Sequence, residues 1–508
     1  MEEVDAIVIG GGPAGSAAAT FIAMQGHRVL LLERESFPVY KIGESLLPST
    51  VHGVCAMLGV SQELKEAGFV HKLGGTFRWG KSKSPWTFAF GQSSKFPAPT
   101  AYAYQVERMK FDSILLNNAR RKGVAVREKH WVTGLIVEQE RVTGVEFVDD
   151  NGQRRTVRSK YVVDASGHTS AVARHAGRRV YSQFFRNVAV FGYFRNGKRL
   201  PAPCAGNIFC ATFEKGWFWY IPLSPTLTSV GAVIGQEYSG VLQKGLAKAL
   251  SEFIASCDPI RELLSESNRV TEGPYGEVRV RKDYSYCHTK FWHPGLVLVG
   301  DAACFVDPVF SSGVHLATYS ALLAARSINT SLRSTLGEEE VFTEFEKRYR
   351  REYRYFYDFL VSFYDMDQDL DSYYWAARKV LKTPEGGNDA FIRLVGGIAA
   401  SGEPLYSNSD EFVREHENLA GQLFSKPAFV GTSLDMGPAN SVFMARLTAE
   451  AAHLQLRAAL PNVPLHENPL FDDGLVPSVD GLHWVFPARR GASANSTITR
   501  ATHDRREF

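Results

Sequence analysis

The stretch Val4–Ala23, VDAIVIGGGPAGSAAATFIA, decides the fold of this chain. Its apolar start, VDAIVI, predicts a buried strand, and the alanine-rich segment after the glycines predicts a helix that stops at Gly26. HRVLLLER, residues 27–34, then predicts a second strand. Strand, helix and strand in this order predict a β-α-β unit with a glycine turn between the first strand and the helix.

The glycine turn has the spacing of a phosphate cradle. Its predicted residues are Gly10, Gly12, Pro13, Ala14 and Gly15. The first of the three spaced glycines permits a tight turn, the second lets the backbone approach a pyrophosphate, and the third lets the helix pack closely on the strand. Free N–H groups and the dipole at the helix N-terminus favour an anion. Glu33 ends the second strand, where it can accept a hydrogen bond from a ribose, so the segment predicts dinucleotide binding.

Bulk composition excludes several function classes. The chain has 508 residues, enough for two or three domains, and its net charge of +3 is too small to indicate a nucleic-acid partner. Its 6 cysteines form no C-x-x-C pair and no metal-ligand spacing, which favours reduced thiols and no metal site. Neither a basic leader nor a long apolar run is present, so we expect a cytoplasmic protein that does not enter a membrane.

The order of predicted elements indicates an α/β fold with four regions. Residues 1–180 and 275–335 alternate strands and helices, which predicts one discontinuous nucleotide-binding domain. Residues 181–274 contain short aromatic strands separated by turns, which predicts an antiparallel sheet forming the substrate region. Residues 336–485 are predicted to be mostly helical, beginning with a helix whose aromatic stripe packs in the core. Residues 486–508 have little to bury and are predicted to be disordered.

Two further segments indicate which dinucleotide is bound. VLVGDAACF places Asp301 directly after a strand, and Tyr104–Asp112 reads YQVERMKFD, with Arg108 at its centre. These segments resemble the flavoproteins of the aromatic-hydroxylase superfamily, which implies that Asp301 binds the ribityl chain of FAD and Arg108 its pyrophosphate. Residues 163–167, VDASG, depart from the D-G motif that serves NAD(P)H in that superfamily. The resemblance therefore implies FAD that is reduced elsewhere, by a separate flavin reductase.

Four more segments resemble the flavin-dependent halogenases. GWFWYIPL carries a W-x-W-x-I-P pattern, LGGTFRWG follows a lysine, DPVFSSG precedes a predicted helix, and IGESLLP, residues 42–48, is similar to their flavin-contacting G-E segment. The sequences of these segments are most similar to those of the halogenases of chondrochloren and glycopeptide-antibiotic biosynthesis. The resemblance assigns the following residues: Lys72 as the catalytic lysine; Gly43, Glu44 and Ser45 to FAD; Ser312 and Gly313 to halide; Trp217, Trp219, Ile221, Pro222 and Phe310 to the tunnel or substrate wall.

The chemistry implied by this resemblance uses FADH2, O2 and chloride to make hypochlorous acid. Backbone N–H groups of Ser312 and Gly313 would bind chloride at a helix start, although Ser311 and Ser312 could simply cap that helix. Lys72 would receive the hypochlorous acid, either as a neutral amine that forms a chloramine or as an ammonium that hydrogen-bonds the acid. Burial would lower the pKa of the amine and favour the first form.

The substrate implied is an electron-rich phenol. Tryptophan-type halogenases have a glutamate where this chain has Phe310, whereas a phenol activates its own ring. The resemblance implies a tyrosyl unit tethered to a peptidyl carrier protein. The residues themselves show only room for an aromatic ring. Two alternatives stay open: a flavin-dependent aromatic monooxygenase that transfers oxygen to the ring, and a non-catalytic flavoprotein component.

Overall fold

The structure, a computed structural model, describes residues 2–93, 95–96, 98–282, 285–365, 369–383, 386–398, 471, 474–478 and 480–487. None of the helices in these ranges is long and apolar enough to cross a membrane. The strands are β1 (Glu2–Ile9), β2 (Val29–Glu33), β3 (Val70–Lys72), β4 (Gly74–Arg78), β5 (Trp86–Ala89), β6 (Ala103–Gln105), β7 (Ala125–Glu128), β8 (Trp131–Glu138), β9 (Arg141–Val148), β10 (Arg154–Asp164), β11 (Arg179–Tyr181), β12 (Asn187–Arg195), β13 (Ile208–Phe213), β14 (Gly216–Pro222), β15 (Leu227–Gly235), β16 (Asn268–Arg269), β17 (Arg279–Lys282), β18 (Tyr286–His288), β19 (Trp292–His293), β20 (Leu296–Leu298), β21 (Cys304–Phe305), β22 (Val476–Pro477) and β23 (Trp484–Val485). The α-helices are α1 (Pro13–Ala23), α2 (Cys55–Leu58), α3 (Ser61–Glu66), α4 (Arg108–Arg121), α5 (Leu246–Ala255), α6 (Asp258–Leu263), α7 (Ser312–Arg333), α8 (Glu338–Phe363), α9 (Leu370–Leu381) and α10 (Gly387–Val395).

The first sheet carries the predicted β-α-β unit. Its strand order is β19-β20-β10-β1-β2-β7, and β1 lies parallel to both β10 and β2. The hairpin of β8 and β9 joins the sheet through antiparallel pairing of β9 with β10. All five residues of β2 are buried, as expected for a parallel strand covered on both faces. The prediction of strand, helix and strand from the glycine-rich opening is confirmed.

Helix α1 lies between this sheet and helix α7. Ten of its eleven residues are buried, because alanines on both faces allow its neighbours to approach closely. Asn329 on α7 donates a hydrogen bond of 3.3 Å to the carbonyl oxygen of Phe21 on α1. Proline at the first helical position suits the helix start, where its missing N–H is not needed. This packing fixes the glycine turn at the carboxyl edge of the sheet.

The second sheet forms the wall opposite the glycine turn. Its order is β16-β12-β15-β14-β13-β4-β5, with β17 also paired to β12. Strand side chains alternate between faces, so Phe218 and Tyr220 pack in the cluster that contains helix α5, while Trp217 and Trp219 belong to the main core. The sheet extends beyond the predicted 181–274 region, because β4, β5 and β17 all join it.

Helix α8 packs against α7, and the Ser327 hydroxyl on α7 donates a hydrogen bond of 2.9 Å to the carbonyl oxygen of Val341 on α8. The aromatic stripe predicted on α8 is core: Phe342, Phe345, Tyr349, Phe356, Leu360 and Phe363 are all buried. Tyr353 is half-buried and packs against the same cluster. The predicted helical region 336–485 is described only up to residue 398 and in short pieces after 470, and the predicted disordered tail lies outside the described residues except for 486 and 487. The α/β class of the fold is confirmed.

Candidate active site

The glycine turn has the geometry that a bound pyrophosphate requires. Gly10 has a φ of +103°, and a Cβ there would lie 2.6 Å from the carbonyl oxygen of Ala165. A Cβ at Gly15 would collide with the carbonyl oxygen of Gly10, so this position fixes the packing of α1 on β1. A Cβ at Gly12 would meet no atom within 4 Å in the described chain. Gly12 is therefore not needed for packing, and the space beside it opens into the cleft.

Glu33 supports the turn from the end of β2. Its carboxylate accepts hydrogen bonds from the backbone N–H of Gly11, at 2.6 Å, and from that of Glu35, at 2.8 Å. Each carboxylate oxygen has a second lone pair, so a ribose hydroxyl could still donate to it. Glu33 also lines the cleft. The position fits the ribose role, which stays a proposal.

The segments around Ser45 and Arg108 meet as neighbouring chains. The N–H of Val106 donates to the carbonyl oxygen of Glu44 at 2.7 Å, and Ser45 forms an isolated antiparallel β-bridge with Gln105. Buried Arg108 forms two hydrogen bonds with Asp112, at 2.7 and 2.8 Å, and donates a third to the carbonyl oxygen of Ile42 at 2.6 Å. Two motifs that are 60 residues apart in the sequence thus form one wall of the cleft.

One long cleft connects the predicted FAD residues. Its volume is about 2380 Å³, including the part open to solvent, and its walls include Gly12, Glu33, Arg108 and Asp301. Gly43 lies there with a φ of +99°, and a Cβ would come within 3.1 Å of the Arg108 guanidinium. Burial raises the pKa of Asp301 to about 6, while the nearby Arg108 opposes that rise. The open space at Gly12, the dipole of α1 and this acid fit a flavin dinucleotide.

Lys72 lies at the end of β3 and is buried. Its amine donates to the hydroxyl of Ser45 at 2.8 Å, to the carbonyl oxygen of Leu46 at 3.0 Å and to the hydroxyl of Ser311 at 3.4 Å. Within the described part of the chain no carboxylate pairs with it. Ser45 and Ser311 both line the cleft, so the amine lies directly behind the cleft wall. Burial lowers the pKa of this lysine to about 7, which leaves a large neutral fraction near neutral pH.

We expect this buried amine to make stability depend on pH. Its pKa falls from 10.5 to about 7 on folding, so between those values the unfolded chain binds more protons and the free energy of unfolding rises with pH. In the variant Lys72→Met this contribution is gone. Wild type should therefore gain up to about 1.4 kcal/mol per pH unit relative to the variant between pH ~7 and ~10. Urea unfolding of both proteins at several pH values in that window measures this gain. A difference in the free energy of unfolding that does not change with pH would contradict the burial of an amine without a carboxylate partner.

The predicted halide turn precedes helix α7. Ser311 adopts a left-handed conformation, with φ 61° and ψ 25°, at the N-cap position, but its side chain makes no capping hydrogen bond. The alternative that Ser311 caps the helix through its side chain is therefore wrong. Ser312 is buried, and its hydroxyl oxygen has no hydrogen-bond partner in the described chain. A Cβ at Gly313 would lie 2.8 Å from the Phe305 ring. The turn thus presents an unsatisfied hydroxyl and a crowded backbone at a helix start, which fits a small anion.

The W-x-W strand lines the same cleft. Trp217, Trp219 and Ile221 point into it because they alternate with residues on the other face of β14. The Trp219 indole N–H donates to the Ser229 hydroxyl at 3.1 Å, and that of Trp217 donates to the Tyr364 hydroxyl at 2.8 Å. Both tryptophans are buried and held by hydrogen bonds, so they form a rigid wall.

Two of the predicted wall residues lie elsewhere. Pro222 ends β14 and pairs with Thr228 on β15. Phe310 is buried among aromatic rings, with centroids 4.6 Å from Phe363 and 5.3 Å from Phe359. Neither is among the residues that line the cleft. Any contact of these two side chains with a substrate stays a proposal.

Two hydrogen-bonded groups beside the cleft were not predicted from the sequence. Tyr193 on β12 donates to Glu44 at 2.6 Å, and burial raises the pKa of that glutamate to about 7. Tyr364 donates to Asp307 at 2.8 Å, and burial raises the pKa of Asp307 to about 6. Alternation along β12 could have placed Tyr193 on the cleft face. No local signal places Tyr364, which follows the end of α8.

Comparison with known proteins gives one consistent family. The family model described as tryptophan halogenase matches residues 5–98 and 93–420. A tryptophan 2-halogenase of Chondromyces crocatus is 31% identical over 410 residues, covering 78% of this chain and 76% of that protein. The solved structure of the myxobacterial chondrochloren halogenase CndH, described as a variant of FAD-dependent halogenases, is 51% identical and covers 96% of this chain and 100% of its own, with a TM-score of 0.73. The flavin-dependent halogenase CmlS is 30% identical and covers 96% of this chain and 84% of its own, with a TM-score of 0.69.

Proposed function

The chain belongs to the tryptophan halogenase family of flavin-dependent halogenases, and from this premise we propose that it chlorinates a phenolic, tyrosyl-type ring. FAD held in this cleft, and reduced to FADH2 by a separate reductase, would supply the activation of O2 that turns chloride into hypochlorous acid. Burial of Lys72 beside the cleft, with its amine held by Ser45 and Ser311, carries this proposal. The same residues leave the lysine without a carboxylate partner in the described chain, which favours its neutral form.

The halide is the first species that the chain's own residues must hold. We assign chloride to the backbone N–H groups of Ser312 and Gly313 at the start of α7, where the helix dipole favours an anion. The unpaired hydroxyl of Ser312 can donate a further hydrogen bond. Ser311 separates this position from the Lys72 amine and contacts that amine at 3.4 Å. The halide site and the lysine therefore lie on either side of one serine.

Lys72 then takes the oxidised chlorine. Its neutral amine attacks the chlorine of hypochlorous acid, so that an N–Cl bond forms, the O–Cl bond breaks and water leaves with the amine proton. The aromatic ring next attacks the chlorine of this chloramine and finally loses its own proton, which restores the amine. Hydrogen bonds to Ser45 and to the carbonyl oxygen of Leu46 orient the amine during both steps.

The substrate assignment rests on the surroundings of the halide turn. Phe310, two residues before Ser312, offers no carboxylate to accept the ring proton, and the ring of a phenol is activated by its own hydroxyl. The chain is 51% identical to the chondrochloren halogenase and 31% identical to the tryptophan 2-halogenase, and this difference supports an acceptor other than free tryptophan. We therefore propose tyrosine bound to a peptidyl carrier protein, chlorinated ortho to the hydroxyl.

Product analysis tests this function directly. The protein is given FADH2, O2 and chloride with tyrosine on a carrier protein, with free tyrosine and with free tryptophan in parallel, and products are read by mass spectrometry. We expect the chlorine isotope pattern on the carrier-bound ring only. A hydroxylated ring without chlorine would instead identify a monooxygenase. Absence of any product while FADH2 is oxidised would identify a non-catalytic flavoprotein, and chlorotryptophan would contradict the phenolic substrate.

A further inference from the structure

Two cysteines face each other across neighbouring strands behind the cleft. Cys287 on β18 pairs with Cys304 on β21 in an antiparallel register. The next pair along, His288 and Ala303, is hydrogen-bonded through the N–H of His288 at 2.9 Å. Because such pairs alternate, Cys287 and Cys304 form a non-hydrogen-bonded pair, in which Cα atoms are about 4.5 Å apart and side chains are closest. Disulfides span Cα distances of about 4.4–6.8 Å, so this pair can close without backbone movement.

The two thiols differ in the way that a reactive pair requires. Cys304 is buried, and burial raises the pKa of its thiol. Cys287 is half-buried, and a hydrogen bond from Cys304 lowers the pKa of its thiol, with help from Arg350. The guanidinium of Arg350 lies 3.5 Å from the Cys287 sulfur. Cys287 therefore has the greater thiolate character, and oxidants attack thiolates.

The pair adjoins the site where hypochlorous acid would form. Cys304 follows Asp301 by three residues and precedes Phe305, both of which line the cleft. Next to Cys287, the hydroxyl of Tyr286 bonds the carbonyl oxygen of Asp301 at 2.5 Å. Val180, which pairs with Cys287 from β11, is 46% exposed, so the sheet edge is open to solvent on that side. Cys304 is therefore the direct chain neighbour of a residue of the cleft wall, Phe305.

We propose that Cys287 and Cys304 form a reversible redox pair that captures hypochlorous acid escaping from the active site. The inference rests on the proposed function for its oxidant. The Cys287 sulfur attacks the chlorine of hypochlorous acid, so that an S–Cl bond forms, the O–Cl bond breaks and the departing hydroxide leaves as water with the thiol proton. The Cys304 sulfur then displaces chloride, forming the disulfide and releasing a proton. In total one hypochlorous acid is reduced to chloride and two thiols are oxidised, and a thiol reductant restores them.

Peptide mapping of the full-length protein under non-reducing conditions tests the pair. In the first arm, purified protein receives sub-stoichiometric hypochlorous acid, and the Cys287–Cys304 disulfide should be the main product, lighter by the mass of two hydrogen atoms. In the second arm, the protein turns over FADH2 and O2 with catalase, with and without chloride, and the disulfide should appear only with chloride. Cys287→Ser should prevent it in both arms, whereas the half-buried Cys204→Ser serves as the matched control.

The outcomes separate this inference from the proposed function. The inference would be overturned if Cys204 or Cys55 were oxidised before the pair, or if Cys287 became a sulfonic acid without forming a disulfide. It would also be overturned if turnover gave chlorinated product but no disulfide. Suppose that the disulfide forms when hypochlorous acid is added, but that turnover yields neither chlorinated product nor disulfide. This result would support the redox pair and overturn the proposed function. We also expect Cys287→Ser to keep the wild-type initial rate but to form fewer product molecules before activity is lost.

Discussion

Replacing Lys72 with methionine should lower ring chlorination by at least about 10²-fold, the smaller end of what a catalytic side chain contributes, because the lost amine is the nucleophile that carries the chlorine. Methionine keeps the length of the side chain but cannot form an N–Cl bond. Of the residues assigned to FAD, Ser45 loses its hydrogen bond from the Lys72 amine, whereas the glycine turn and Arg108 keep their contacts. Experiments over many turnovers with FADH2, O2 and chloride, read by mass spectrometry, measure the loss, because the methionine thioether can itself consume one equivalent of hypochlorous acid as the sulfoxide.

The matching controls locate the effect. Oxidation of FADH2 should proceed in Lys72→Met at a rate close to wild type, and a diffusible chlorine trap in solution should collect hypochlorous acid that the wild type retains. Lys65→Met, at an exposed lysine, should behave as wild type. Unchanged chlorination in Lys72→Met would remove the lysine from the reaction.

Gly12→Ala should weaken FAD binding by about 100-fold, which corresponds to about 2.7 kcal/mol. The new Cβ meets no atom of the described chain within 4 Å, and Gly12 has φ −71° and ψ −175°, which alanine adopts freely. The unliganded variant should therefore melt at the wild-type temperature. Its methyl group occupies the space that the pyrophosphate needs, and titration with FAD followed by fluorescence gives the affinity.

Substitutions at two other glycines distinguish an effect on FAD affinity from an effect on the stability of the fold. Gly15→Ala forces a Cβ against the carbonyl oxygen of Gly10, so it should lower the melting temperature even without FAD. Gly240→Ala adds a methyl group in open space and should change neither quantity. Wild-type FAD affinity in Gly12→Ala would mean that the pyrophosphate binds elsewhere.

The fold was predictable wherever local signals agreed. The glycine turn, the apolar strands beside it and the alanine-rich helix each indicate the same β-α-β unit, and the structure contains it. The strands β4 and β5 were not recognised as part of the second sheet, because β4 pairs with β13 more than 100 residues further along the chain and β5 joins the sheet only through β4. Sequence periodicity does not report such long-range pairing.

The site was predictable in its motifs but not in its connections. Gly43–Ser45 and Arg108 were each identified, whereas their pairing as adjacent chains follows only from the fold. The resemblance assigned Phe310 to the tunnel or substrate wall, since it stands where tryptophan-type halogenases have a glutamate, whereas in the structure its ring packs with Phe359 and Phe363. A position in a motif fixes the backbone, and the direction of the side chain depends on its neighbours.

The most direct test of a halide and a lysine on opposite sides of Ser311 is an anomalous diffraction map of crystals grown with FAD and bromide. We expect one strong bromide peak within hydrogen-bonding distance of the backbone N–H groups of Ser312 and Gly313, with the Lys72 amine still buried behind Ser311. A map in which FAD is bound but bromide lies away from the start of α7, or in which Lys72 points into solvent, would contradict it.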